Sequence, residues 1–206
     1  MLDEKYRQNN IRVLNISCGG WGVDNEAGFF QKFGDLDGKL IVLLVNSHDA
    51  VGAISPIPIA GNSESFPSKQ YSFAWLELFN RYIIPRVKKK IGIKDTINDT
   101  NTSIGNEYSD GWNFFVGFSQ SHNIPLVIYL HAEKSEMEKG TYNKNGKWIL
   151  EYAKLHNVPV IQDLSVIKEN DYRDGIHLSE NGQHVIFDLL DPVIGGFLKN
   201  KGVNED

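Results

Sequence analysis

Three things are scarce in this chain of 206 residues: cysteine, clustered positive charge and long apolar runs. Cys18 is the only cysteine, so the chain can form neither an internal disulfide nor a thiolate cluster around zinc. The 21 basic side chains are outnumbered by 26 acidic ones, and the one basic run, residues 86–90, is predicted to end a helix. This charge balance argues against a nucleic-acid partner, because phosphate binding needs clustered Lys and Arg.

The sequence also lacks a long apolar run and a pair of histidines at metal-binding spacing. No stretch approaches the roughly 18 apolar residues that a membrane-spanning helix needs. The first seven residues are amphipathic and charged, which is not how a signal peptide begins. None of the six histidines stands in an H-x-x-x-H or H-E-x-x-H pair, so no zinc site is predicted. We expect a soluble chain, cytoplasmic by default, with no membrane span; its compartment and oligomeric state stay open.

What the sequence does contain is an alternation of strand-like and helix-like segments. Short apolar, β-branched runs typical of buried parallel strands cover residues 11–16, 39–45, 125–130 and 158–161. Helical spacing is predicted at 2–9, 25–33, 72–90, around Trp112 to Phe118, at 148–156 and from Ser179 onward. Residues 50–70 and 92–107 are predicted to be irregular connections. The alternation predicts one α/β domain over 1–206 with a parallel sheet, in which 51–122 is a long insertion between strands with two helices.

The sharpest chemical signal is an Asp and a His three residues apart, Asp174 and His177, on a turn just before a helix. At this spacing the carboxylate can accept from the imidazole Nδ1–H and leave Nε2 free as a general base. The spacing alone is weak, because an Asp that caps a helix near a solvated His is common. Its place beyond a strand end favours a site, since ligands bind there in parallel sheets.

Two further polar segments follow predicted strands. Residues 15–25 form a glycine-dense turn around Gly20, whose backbone N–H groups can point at a developing oxyanion. A tight strand-to-helix connection with no chemistry explains this turn equally well. The segment Ser47-His48-Asp49 ends the central strand and is either a helix cap or part of a site.

Together these blocks resemble the SGNH (GDSL-type) hydrolases, whose scattered motifs supply a Ser, a Gly, an Asn and a final D-x-x-H. Asp174 and His177 match the final motif, and Gly20 matches the oxyanion glycine within N-x-x-x-x-G-aromatic-G-x-D-[NQ]. The segment with His48 and Asp49 stands in the place of the family's G-x-N-D motif. The resemblance spans residues 2 to about 195.

The chain departs from the family at two positions. His48 replaces the Asn that donates to the oxyanion, and an imidazole N–H can donate in its place. The nucleophile motif G-D-S is absent, and only 10 residues precede the run that starts at Ile11. Ser17 is the one serine at a predicted strand end near the glycine turn, so it is the weak candidate for a nucleophile that is otherwise unknown.

The resemblance implies a three-layer, flavodoxin-like α/β/α fold whose first strand is missing. It implies hydrolysis of small or carbohydrate O-acyl esters, acetyl esters first, by Ser-His-Asp chemistry without a metal or organic cofactor. In that scheme His177 is the base, Asp174 orients it, Gly20 and His48 hold the oxyanion, and Trp21 and Asp49 line the pocket. The alternative is a catalytically inactive or truncated relative that serves as a binding module.

Overall fold

The computed structural model describes residues 1–52, 71–90 and 108–200. Within these ranges the sheet has three parallel strands, and their spatial order equals their chain order: β1 (Ile41–Asn46), β2 (Leu126–His131) and β3 (Val160–Gln162). The helices are α1 (Leu2–Arg7), α2 (Val23–Phe33), α3 (Ala74–Glu77), α4 (Ile84–Lys90), α5 (Gly111–His122), α6 (Lys134–Lys139), α7 (Lys144–Leu155) and α8 (Glu180–Asn200). A π-helical segment, Leu78–Ile83, joins α3 to α4, and 3₁₀ turns cover Ser47–Ala50 and Glu169–Asp171. The predicted α/β class with a parallel sheet is confirmed.

Apolar side chains of the strands alternate between two packed clusters. Ile128 and Leu130 of β2 lie with residues of α2, α5 and α7 in the larger cluster. Tyr129, between them, lies with residues of α1 and α8 in the smaller one. All six residues of β2 are buried, which is the burial expected of a central parallel strand covered on both faces.

The predicted strand at residues 11–16 is wrong: this segment is irregular and pairs with no strand among the described residues. Ile11 and Val13 are partly buried against the smaller cluster, whereas Leu14 is exposed, so the segment is not the buried run that was expected. A strand needs a neighbour for its backbone groups, and here the Val13 N–H bonds to Asp3 Oδ1 instead, at 3.0 Å. The described sheet therefore has three strands where four were predicted.

Other elements differ from prediction mainly at their ends. The helix predicted from residue 72 begins at Ala74 and runs through Pro85 to Lys90, although a kink or stop was expected at the proline. The predicted irregular segments 50–70 and 92–107 lie outside the described residues except for 50–52.

Two side chains cap the start of helix α5. The Gly111 N–H donates to Asp24 Oδ1 of α2 at 2.7 Å and to Ser109 Oγ at 3.2 Å, whereas Asp110 makes no side-chain cap. A Cβ on Gly111 would overlap the Val23 backbone, so glycine is required where α2 and α5 cross. In the described part of the chain, no helix is both long and apolar enough to cross a bilayer.

Candidate active site

Polar side chains collect where the three strands end. His131 is the last residue of β2, Asp163 follows β3, and the turn with His48 and Asp49 follows β1. The carboxyl ends of parallel strands share one edge of a sheet, which is where such folds bind ligands. The turn before α8 reaches the same edge, because the Lys134 N–H donates to the Gly175 carbonyl at 2.9 Å.

Asp174 and His177 form the predicted pair on that turn. His177 Nδ1 lies 2.8 Å from Asp174 Oδ2, and the imidazole is 60% exposed. Asp174 Oδ1 also accepts from the backbone N–H groups of Ile176 and His177, at 3.0 and 2.8 Å. These two backbone bonds, and then the imidazole, hold the pKa of Asp174 well below its usual range. An ionised Asp174 keeps the proton of neutral His177 on Nδ1 and leaves Nε2 facing away as a base.

The turn itself is fixed from the sheet side. His131 Nε2 lies 3.2 Å from the Ile176 carbonyl oxygen, one residue before His177. Antiparallel contacts between Tyr172 and Leu178, and the bond from the Arg173 N–H to the His177 carbonyl, close the base of the turn. The exposed Asp174–His177 pair is therefore held in place by the buried side chain of His131.

His48, the predicted oxyanion donor, sits between two carboxylates. Its Nδ1 is 3.3 Å from Glu133 Oε1 and its Nε2 is 3.8 Å from Asp49 Oδ1. A neutral His48 that donates from Nδ1 to Glu133 has no proton left on Nε2. An oxyanion would therefore receive a hydrogen bond from His48 only if the ring is protonated or turns away from Glu133.

Two carboxyl groups near this turn, Asp49 and the further residue Glu26, are poorly solvated. Burial, and then the nearby charge of Asp49, raise the pKa of Glu26 from 4.5 to about 7. Burial likewise raises the pKa of Asp49, while the Asn46 N–H and His48 act in the opposite direction. At pH below about 7 Glu26 is mostly neutral, which reduces the negative charge around His48.

The glycine turn lies against the same 3₁₀ turn. A Cβ on Gly22 would lie 3.9 Å from Asp49 Oδ1, so the two segments are neighbours. Gly20 has a φ of 81°, a left-handed conformation that favours glycine, and it is exposed. Trp21 is half-buried, and its ring packs against Phe29 of α2 with centroids 6.3 Å apart. Among the described residues, no hydrogen bond links this turn to Asp174 or His177.

Neither serine near the edge is placed as a nucleophile. Ser17 is exposed and donates to Asn15 Oδ1 at 2.7 Å. Ser47 is fully buried and donates to Glu136 Oε1 at 2.6 Å. In the part of the chain that the structure describes, no serine hydroxyl lies within hydrogen-bond distance of the His177 imidazole.

A groove of about 440 Å³ opens beside the start of α7. Tyr108 stacks flat on Trp148 there, with ring centroids 3.8 Å apart. The other residues that line the groove are Tyr142, Asn143, Lys144, Lys147 and Glu151. Trp21 and Asp49, the residues predicted to line a pocket, are not part of this groove. The groove adjoins the carboxyl edge, because Gly146 of α7 packs directly against Ser47.

Sequence reasoning missed His131, Asp163, Glu26 and Glu133. His131 and Asp163 end or follow strands, so the rule that drew attention to His48 also applied to them. Glu26 and Glu133 gave no signal, because an acidic residue in the first turn of a helix, or just before one, is ordinary. In the described ranges, no group of three His, Cys, Asp or Glu side chains is arranged to hold a metal ion.

Comparison with known proteins gives no relative for this chain. No protein-family model matches it, and no curated protein or solved structure is significantly similar to it. The case for a function therefore depends on the geometry of the carboxyl edge.

Proposed function

We propose that the chain is a serine-type ester hydrolase resembling the SGNH family, with a flavodoxin-like arrangement of helices on both faces of its sheet. The supporting observation is the 2.8 Å contact of His177 Nδ1 with Asp174, on an exposed turn at the carboxyl edge. A surface His with a fixed tautomer and an open Nε2 is equipped for general base catalysis.

In the proposed reaction, His177 Nε2 takes the proton of an attacking hydroxyl as that oxygen bonds to the ester carbonyl carbon. The carbonyl electrons move onto oxygen, and the Gly20 N–H with the His48 imidazole would stabilise that charge. The proton then passes from His177 to the departing alcohol. Water repeats the sequence on the acyl-enzyme and releases the acid. Asp174 stays ionised throughout and stabilises the imidazolium form of His177.

The attacking hydroxyl in this scheme has two candidate sources. Ser17 is the candidate from the sequence, and a water molecule activated directly by His177 is the other source of a hydroxyl. Activity that survives Ser17→Ala excludes Ser17 and leaves water or another hydroxyl of the chain as the nucleophile.

The test is hydrolysis of p-nitrophenyl acetate by the purified chain and by its His177→Ala variant. We expect the variant to lose kcat about 10²-fold or more, since general base catalysis contributes roughly that much. His184→Ala removes an exposed histidine of α8 and serves as the matched control. If the wild-type chain has no activity, or if His177→Ala is as fast as His184→Ala, the proposal is wrong.

Carbohydrate esters are the substrate class we propose first. The groove beside α7 presents the Tyr108–Trp148 stack with charged side chains around it, and sugar rings suit such mixed surfaces. Tyr108→Ala should raise KM for an acetylated oligosaccharide and leave KM for p-nitrophenyl acetate unchanged. Equal effects on both substrates would place the glycan elsewhere.

A binding module without catalysis is the second candidate function. The observation that favours it is the lack of a serine hydroxyl at His177 in the described residues. An inactive chain that still binds acetylated oligosaccharide, measured by calorimetry, would support this candidate over the hydrolase.

A further inference from the structure

A second Asp–His pair lies inside the protein, beneath the candidate site. His131 is 3% exposed and Asp163 is fully buried. His131 Nδ1 lies 2.6 Å from Asp163 Oδ2, and the other ring nitrogen faces the Ile176 carbonyl at 3.2 Å. The proposed chemistry uses neither side chain, so this pair requires its own explanation.

The hydrogen-bond partners determine the charge of this pair. A carbonyl oxygen only accepts, and an ionised carboxylate only accepts, so beside an ionised Asp163 both ring nitrogens of His131 are placed to donate. Only the imidazolium form has two N–H groups. Asp163 is equipped to stay ionised beside it, because it also accepts from the Ala132 N–H at 2.8 Å and from the Tyr129 hydroxyl at 3.2 Å. A buried ion pair is tolerable when its remaining lone pairs are satisfied in this way.

In the described part of the chain, the groups recorded around this pair are aromatic rings and carboxylates. Tyr172 stacks on the imidazole with centroids 5.6 Å apart, and its hydroxyl donates to the Ala132 carbonyl at 2.6 Å. Burial and the Asp163 charge raise the pKa of both Tyr129 and Tyr172, so these phenols stay neutral. The other charged groups that act on Tyr172 are the carboxylates Glu133, Glu136 and Asp171, and these favour a cation at His131.

We propose that His131, held as an imidazolium by Asp163, is a positioning residue that fixes the turn of Asp174 and His177 by donating to the Ile176 carbonyl. The link is short: the peptide that contains this carbonyl is followed at once by the His177 N–H, which bonds to Asp174 Oδ1. Without the Nε2–H, the bond from the Lys134 N–H to the Gly175 carbonyl is the one hydrogen bond among the described residues that still links residues 174–177 to the segment after β2. Any effect on turnover rests on the proposed ester hydrolysis, whereas the positioning can be measured without activity.

The first test uses the wild-type protein and ¹⁵N NMR of its histidine rings at neutral pH. Both nitrogens of His131 should show shifts of protonated nitrogens and should couple to ring protons as in an imidazolium. A neutral His131, with one nitrogen of the unprotonated type, would overturn the proposal. This measurement needs no variant and no substrate.

The second test follows the Asp174 carboxyl by ¹³C NMR in His131→Leu, which leaves no side-chain donor for the Ile176 carbonyl, with His122→Leu, an exposed histidine of α5, as the control. The pKa of Asp174 should rise in His131→Leu towards the ordinary Asp value near 3.9, because the backbone bonds that lower it loosen with the turn. It should stay low in His122→Leu. If His131→Leu does not fold because Asp163 is left buried without its partner, the double variant His131→Leu/Asp163→Asn removes the donor and the charge together, and the same rise is expected.

An Asp174 titration that is unchanged in a folded His131→Leu or His131→Leu/Asp163→Asn protein would refute the positioning role. If the chain hydrolyses esters, His131→Leu should lower kcat about 10²-fold with little change in KM, as expected of a displaced base. Loss of the proposed esterase function would leave the two NMR results intact, so the two failures are distinguishable.

Discussion

Glu26 should make the protein less stable as the pH rises, and Glu26→Gln should remove that dependence. This residue of α2 is partly buried beside Asp49, and its pKa is raised from 4.5 to about 7, first by burial and then by the Asp49 charge. A folded-state pKa above the unfolded value means that the folded state binds more protons between these two pH values. Stability therefore falls as the pH rises from about 4.5 to about 7.

The size of the effect follows from the same two values. Each pH unit between them corresponds to about 1.4 kcal/mol, so the full penalty of ionised Glu26 is about 3 kcal/mol above neutrality. Glutamine has nearly the same shape and no charge. Glu26→Gln should therefore match the wild type in stability at pH about 4 and exceed it by up to about 3 kcal/mol at pH about 8.

Urea unfolding of both proteins across this pH range is the appropriate measurement, because the midpoint and slope separate stability from changes in compactness. Titrating groups that do not interact with Glu26 are common to both proteins and cancel in the difference. Glu138→Gln, an exposed position on α6, is the matched control and should show no such trend. A difference between wild type and Glu26→Gln that does not vary with pH would refute the reasoning.

Three more outcomes are expected. Gly146→Ala should destabilise the protein by roughly 1–3 kcal/mol, because the added Cβ would overlap Ser47 Oγ. Gly117→Ala on α5 should stabilise it by roughly 0.5–1 kcal/mol, because its Cβ would contact no other atom. Thermal unfolding measures both, and equal effects would contradict the close contact between Gly146 and Ser47. Ser47→Ala should lower the free energy of unfolding by roughly 1–3 kcal/mol, because Glu136 loses the buried Ser47 hydroxyl that donates to it at 2.6 Å. An unchanged urea midpoint would show that this hydrogen bond does not stabilise the protein. As the pH rises through about 7, Glu26 of the wild type becomes ionised near the proposed oxyanion site, and this should lower kcat/KM for an ester. Glu26→Gln cannot ionise, so its kcat/KM should stay high to a higher pH. Identical pH profiles would show that Glu26 does not influence the site.

The sequence predicted much of the fold because its signals were local. The apolar runs that became β1 and β2 are long and uninterrupted, and Ser179 does contact the first turn of α8, with its Oγ accepting from the Gly182 N–H at 3.4 Å. The segment 11–16 has the composition of a strand, but strand formation depends on a neighbour that composition does not reveal.

The residues of the candidate site also differ in whether local sequence signals could predict them. Asp174 and His177 are three residues apart, so their contact could be predicted from this spacing together with their place beyond a strand end. The pair formed by His131 and Asp163 joins residues 32 positions apart, and its link to Ile176 spans 45, so only the folded chain reveals it.

The most direct test of the central claim is a double-mutant cycle on ester hydrolysis at Asp174 and His177. Residues that act as one catalytic unit give non-additive losses. We predict that Asp174→Ala/His177→Ala hydrolyses p-nitrophenyl acetate no more slowly than His177→Ala alone, with both far below the wild type. Losses that multiply, or single variants as active as the wild type, would contradict the claim that this pair is the acid–base centre.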